Sequence, residues 1–168
     1  AEECERALAH LADTIMVEGA QGIAAILLET VVGANGILVP PDGYLQTARE
    51  IATQHGALLW LDEVQTGIGR TGRWFAHETS GVRADIVTVA KGLAGGFPIG
   101  ALITFGAASE LFYPGTHGST FVGNALGTAV SSAVLAEIEQ EGLARNAAER
   151  GQQLRDAIAS IDTTLVTG

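Results

Sequence analysis

The chain has one cysteine, one methionine and one lysine among its 168 residues. The single cysteine, Cys4, excludes an internal disulfide framework and fits a reducing compartment, so a cytoplasmic protein is expected. Basic residues are scarce as well: nine stand against 19 acidic ones, for a net charge of −10. They are scattered, which excludes a nucleic-acid-binding surface, and the acidic excess favours solubility without naming a partner. Long apolar runs are lacking. None reaches the roughly 20 residues of a membrane helix, and Ala1-Glu2-Glu3-Cys4-Glu5 has no signal-peptide character, so no membrane is expected. His10, His55 and His77 lack metal-ligand spacing and Cys4 has no partner, so no metal site is expected.

What the chain does have is apolar material. Hydrophobic residues reach 47% against 17% charged, which suits one core of ordinary size rather than a disordered chain. Residues 2–12 carry helix formers with Leu8 and Leu11 on one face. "IAAILLE" (23–29), "ALLWLDE" (57–63), "ADIVTVAK" (84–91) and "GALITF" (100–105) read as strands, the first covered on both sides. "YLQTAREIATQHG" (44–56) reads as a helix ending at Gly56, and 124–141 and 143–160 as two long helices joined at Gly142. Strands alternating with helices predict a mostly parallel α/β sheet with helices on both faces, and ligands beyond the strands' carboxyl ends. Glu29, Asp62 and Lys91 all fall there. The chain lacks an initiator methionine and its closing residues, 163–168, read as a strand beginning, so a piece of a longer protein is expected.

Lys91 closes an apolar strand, with Gly92, Gly95 and Gly96 soon after it. An ordinary surface lysine is one reading. The other is an amine in a partly desolvated pocket, where its pKa falls and it can form a Schiff base with a carbonyl. Asp62 either caps the loop after it or pairs with a cationic ring nitrogen. Pyridoxal phosphate needs both a lysine and such an acid. A competing pattern, "GIGRTG" (67–72), fits G-x-G-x-x-G and with it a nicotinamide-dependent oxidoreductase. Here "DEVQT" separates it from its strand, and the segment between Arg73 and Gly81 is too short for the long helix that pattern opens. "THGSTF" (116–121) precedes the helix near Asn124, where Ser119 or Thr120 would either cap it or meet a phosphate.

"WLDEVQTGIGRTGRWFAHE" (60–78) and "ADIVTVAKGLAGGFPIGA" (84–101) resemble the two signature segments of the class III (subgroup II) pyridoxal-phosphate-dependent aminotransferases. The 29-residue interval from Asp62 to Lys91 fits too, and the resemblance runs across nearly the whole chain. It implies an incomplete fold-type I large domain, with residues 1–142 as the cofactor domain and 143–168 as a connecting helix and the start of a small C-terminal domain. It also implies that Lys91 carries the cofactor and shuttles a proton, and that Asp62 holds the pyridine nitrogen. Val64 would pack on the ring face and Gln65 would bond the ring's 3-hydroxyl oxygen. Ser119 and Thr120 would reach the phosphate of a neighbouring subunit, which makes a homodimer. Missing parts would be an upstream phosphate loop with a ring-stacking aromatic and a downstream carboxylate-binding arginine.

The substrates implied are an amino acid and a 2-oxo acid, exchanged in a ping-pong reaction. "AKGLAGGFPIGAL" and "THGSTFVGN" are similar to acetylornithine and ornithine aminotransferases, and thus to arginine biosynthesis. "LLETVVGANGILVPPDGYL" (27–45) is more similar to the ω-amino-acid:pyruvate branch, and Ala34 stands where many acetylornithine-type enzymes carry a glutamate. Val122 and Ala125 depart from the family's usual Gly and Pro. A fragment that holds the cofactor and catalyses nothing is a third reading.

Overall fold

The computed structural model describes residues 2–19 and 22–161. The closing stretch 163–168, expected to begin a strand, lies outside them. All four expected strands form: β1 (Ala25–Glu29), β2 (Leu58–Asp62), β3 (Ile86–Val89) and β4 (Ala101–Thr104). They lie in the order β1-β2-β3-β4; β1, β2 and β3 are parallel, and β4 runs antiparallel to β3. The mostly parallel α/β sheet is therefore as the sequence predicts. Parallel neighbours need a crossover, and α2 (Tyr44–Gln54) supplies the one between β1 and β2.

The first helix, α1 (Glu2–Glu18), runs six residues beyond the expected end at residue 12. Its apolar spacing continues from Leu8 and Leu11 to Ile15, which is buried against the core. Glu2, Glu3 and Glu5 in its first turn offset the positive end of the helix dipole. The long helices are α3 (Ala125–Gln140) and α4 (Leu143–Ala159). The N-cap of α3 is Asn124, whose side-chain oxygen accepts the Gly127 amide at 2.7 Å; neither Ser119 nor Thr120 caps it.

Register decides which face is the core. Leu28, Leu61, Val87 and Ile103 share one row across the sheet, with Leu59 and Val89 on the same face. Leu59, Leu61, Val87 and Val89 are buried there with Leu45, Ile51 and Ala52 of α2 and Ile15 of α1, and Leu135 of α3 packs against the cluster. The opposite face carries Leu27, Trp60, Thr88 and Leu102. There Leu27 is 57% and Leu102 41% exposed, so the expected cover of helices on both faces is not found among the described residues. Ile86 on that face is nevertheless buried at 7%, and the helices that pack into the core cluster lie on the Leu59–Val87 side.

Glu63 ties the carboxyl edge of the sheet together. It is 1% exposed, and its two oxygens take five hydrogen bonds from three separate segments. Oε1 accepts from Thr30 Oγ1 at 3.0 Å and from the His77 amide and Nδ1, each at 2.9 Å. Oε2 accepts from Thr66 Oγ1 and, at 3.1 Å, from the Ala76 amide. A carboxylate offers only acceptors, so the His77 proton belongs on Nδ1. Burial by itself would raise the Glu63 pKa. The bonds from the His77 ring, Thr66 and the His77 and Ala76 amides outweigh that and hold it below its usual value. At the other edge, Asp85 accepts from Arg49 and from the Leu59 amide at 2.8 Å, joining α2, β2 and β3.

The glycines of 67–72 let this loop fold onto the protein. A Cβ on Gly67 would stand 2.8 Å from the Glu63 carbonyl oxygen. One on Gly72, where φ is +94°, would stand 2.7 Å from Ala148 Cβ of α4. Gly81 also has positive φ (+67°) but open space around it. Denaturant unfolding should therefore separate the two: Gly72→Ala costs about 3 kcal/mol from backbone strain plus the clash, and Gly81→Ala about 1 from strain alone. Equal losses would contradict the close docking of α4. Glu63→Gln puts an NH2 group where two or more donors point and should cost about 2–4 kcal/mol at neutral pH. Because the folded pKa is depressed, this stabilisation is complete above the unfolded carboxyl pKa of about 4.3 and is lost as pH falls through the lower folded value. The gap between wild type and Glu63→Gln should narrow on acidification, and a gap constant with pH would contradict the network.

Candidate active site

β2 and β3 end side by side, with Asp62 in register with Thr88 and Lys91 three residues further on. After the extended Ala90, the backbone turns into the left-handed region at Lys91 (φ +40°) and enters a short 3-10 turn, Lys91–Ala94. Only Ile37, Ile68 and Lys91 adopt positive φ without being glycine among the described residues. Such a conformation is strained for an L residue and persists only where its surroundings enforce it. Here buried Leu93 and Ala94 anchor the turn, and the Leu93 amide donates to the Ala90 carbonyl at 2.8 Å. The turn takes the lysine off the line of its strand and brings Nζ onto Gln65, where it donates to Oε1.

Gln65 sits in the loop that leaves β2. Asp62 Oδ1 accepts the Val64 amide at 2.8 Å, and the Gly67 amide donates to the Glu63 carbonyl at 2.8 Å, which closes a tight turn around Gln65. Asp62 thus does cap its loop, but through Oδ1; Oδ2 has no hydrogen bond among the described residues. Asp62, Val64 and Gln65 are each half-buried. Lys91 is exposed, not desolvated as the apolar strand before it suggests. The four residues form one cluster built from two strand ends.

Ser119 and Thr120 make no hydrogen bond to it among the described residues. Both are exposed, and Ser119 lines a cavity of about 710 Å³ with Leu102, Phe112, His117 and Asn124. Neither Lys91 nor any residue of the Asp62 loop lines that cavity. Among the described residues no hydrogen bond joins either hydroxyl to Lys91 or to the Asp62 loop. "GIGRTG" is no dinucleotide loop either. Irregular chain comes after it and then the short 3-10 segment Ala76–Ser80; Gly67 packs on Glu63 and Val89, and Gly69 and Gly72 on Ile138, Ala144 and Ala148, instead of opening a long helix that could meet a pyrophosphate.

Two residues that organise the site, Glu63 and His77, carry no motif that marks them as such. One signal does exist: Leu59, Leu61 and Glu63 share a parity, so the strand's alternation points Glu63 inward like the two leucines. By sequence Glu29 is only a strand-end acid. In the structure its Oε2 accepts the Gly33 amide at 2.9 Å, and a Cβ placed on Gly33 would lie 3.4 Å from Gln65 Cγ.

The family pattern described as Aminotransferase class-III matches residues 1–166. The acetylornithine aminotransferase of Mycobacterium leprae is 52% identical over 143 residues, which are 85% of this chain and 35% of that protein. Its counterpart in Streptomyces coelicolor is 49% identical over 144 residues, 85% of this chain and 36% of that one. The chain thus spans about a third of the length of these curated relatives. Among solved structures, an (S)-enantioselective omega-transaminase from Thermomicrobium roseum aligns with a TM-score of 0.84 at 39% identity, over 91% of this chain and 35% of that one. An ornithine aminotransferase from Toxoplasma gondii, with PLP at partial occupancy in its active site, gives 0.82 at 37%, over 90% of this chain and 35% of that one. With the pattern running along nearly its full length and solved relatives sharing its fold, this chain belongs to the class-III aminotransferase family.

Proposed function

We propose that this chain is the cofactor-holding part of a pyridoxal-phosphate-dependent aminotransferase that moves an ω-amino group to a 2-oxo acid. The observation that carries this reading is Lys91: the chain's sole lysine, set in a strained left-handed turn at a strand end and bonded to the loop that Asp62 begins. A lysine serving only solubility needs no such placement.

The chemistry of the cluster suits the cofactor. Lys91 is a primary amine for its aldehyde, and Asp62 has an oxygen to spare for a protonated ring nitrogen. The Gln65 amide suits a ring hydroxyl and Val64 a flat apolar face. When bound, pyridoxal phosphate supplies a carbonyl that condenses with amines and a ring that withdraws electrons from the adjoining carbon. Asp62 would hold that ring's nitrogen and, as a carboxylate, favour its protonated state. Lys91 Nζ acts first as the nucleophile that keeps the cofactor in place. With its amine free, Lys91 would take a proton from the substrate carbon and return it. Ser119 and Thr120, both exposed and not bonded to Lys91, suit the phosphate held by a second copy, which supports a homodimer.

An acetylornithine- or ornithine-type donor is the preferred substrate class, supported by the names of the curated relatives. The ω-amino-acid:pyruvate reading keeps one observation in its favour, the neutral Ala34 in the loop after β1. A panel of amino donors against 2-oxoglutarate and pyruvate separates the two. Loss of the Lys91 amine removes both nucleophile and base, so Lys91→Ala should lower transamination at least about 10³-fold, and Lys91→Arg should not restore it. Retained turnover in either variant would overturn the assignment.

A further inference from the structure

Gln65 has a flexible side chain, yet its amide oxygen must meet Lys91 Nζ. Its backbone turn fixes the Cα and leaves the side-chain torsions free. The loop after β1 supplies the missing restraint. Its base is pinned by paired hydrogen bonds between Val32 and Leu38, at 2.9 and 3.0 Å, and Ile37 N donates to the Gly33 carbonyl at 3.3 Å. Gly33, at the near end of this small hairpin, lies directly behind Gln65. The position of a Cβ there would be 3.4 Å from Gln65 Cγ, 3.9 Å from Gln65 Cβ and 3.6 Å from Glu29 Oε2. The Gly33 backbone therefore runs beside the Gln65 stem with room for no more than a methyl group between them, and the Glu29 carboxylate borders the same gap. Glu29 fixes the arrangement by accepting the Gly33 amide at 2.9 Å, from a strand position in register with Asp62.

We propose that Glu29 and Gly33 act as a positioning clamp, in which the Glu29 carboxylate anchors the Gly33 amide so that residue 33 backs Gln65 and holds its amide on Lys91. The inference rests on the reading of Lys91 as the cofactor's amine. It adds residues that act through Gln65, and Glu29 itself touches no reacting atom. The reach of Glu29 matters, since one methylene fewer takes the carboxylate away from the Gly33 amide. Its charge matters less, since a neutral oxygen at the same place accepts the same hydrogen bond.

The single lysine gives a clean readout, because 15N-labelled lysine yields one side-chain resonance from the chain. Gln65→Ala defines where that resonance falls without its partner. Glu29→Asp, which keeps charge and loses reach, should shift the resonance toward that position; Glu29→Gln, which keeps reach and loses charge, should leave it near the wild-type place. Combining Glu29→Asp with Gln65→Ala should add nothing to Gln65→Ala alone. In the cofactor-loaded enzyme Glu29→Asp should lower kcat between about 10- and 100-fold, with Glu29→Gln close to wild type. The reverse pattern, equal shifts in both Glu29 variants, additive shifts in the double variant, or an unmoved resonance in Glu29→Asp would each overturn the clamp. Addition of pyridoxal phosphate to the wild type tests the underlying reading separately. Failure to develop a visible absorbance band overturns the proposed function, whereas a band with an unmoved Glu29→Asp resonance overturns the clamp alone.

Discussion

A buried carboxylate without partners is among the costliest groups a fold can hold, and Glu63 meets that constraint with five donors. Thr30 comes just after β1, Thr66 lies in the loop leaving β2, and Ala76 and His77 stand beyond the glycine loop. Satisfying one side chain therefore fixes three segments of the two connections that leave β1 and β2 at the same edge of the sheet. The residues with chemistry ride on those connections. Asp62 precedes Glu63 directly, Gln65 comes two residues later, and the loop after Thr30 carries Gly33 to the back of Gln65. Lys91 arrives from the neighbouring strand and meets a loop already in place.

The second constraint lies in the backbone. A lysine at φ +40° gives up an ordinary strand-end conformation, and the buried Leu93 and Ala94 behind it compensate for that strain. Together the two features explain why the amine sits where parallel α/β sheets place ligands, past the carboxyl ends of adjacent strands.

Much of the fold is legible in the residues, for identifiable reasons. Short apolar runs rich in β-formers and bounded by glycine or acids favour strands over helices, so all four elements emerge within a residue or two of their observed bounds. The strand-end positions of Asp62 and Lys91 come with them. Other features depend on residues far away in sequence. The pairing of Arg49 with Asp85 spans 36 residues, and no local pattern announces it. The left-handed turn at Lys91 is hidden because lysine does not advertise positive φ as glycine does. Asn124 caps α3 although Ser119 and Thr120 carry equally suitable oxygens a few residues earlier, since only the cap nearest the first turn can reach its amides. Apolar residues on both sides of β1 and β2 suggest two covered faces, but alternation reports which positions are apolar and not what covers them. Glu63 is legible in principle, because its parity with Leu59 and Leu61 turns it inward.

The central claim is that Lys91 is the amine that holds the cofactor's aldehyde. The most direct test is borohydride reduction of the protein mixed with pyridoxal phosphate, followed by peptide mass spectrometry. The expected result is the reduced adduct on the peptide containing Lys91, formed at near one equivalent. An adduct confined to the chain's terminal amine, or none at all, would contradict it.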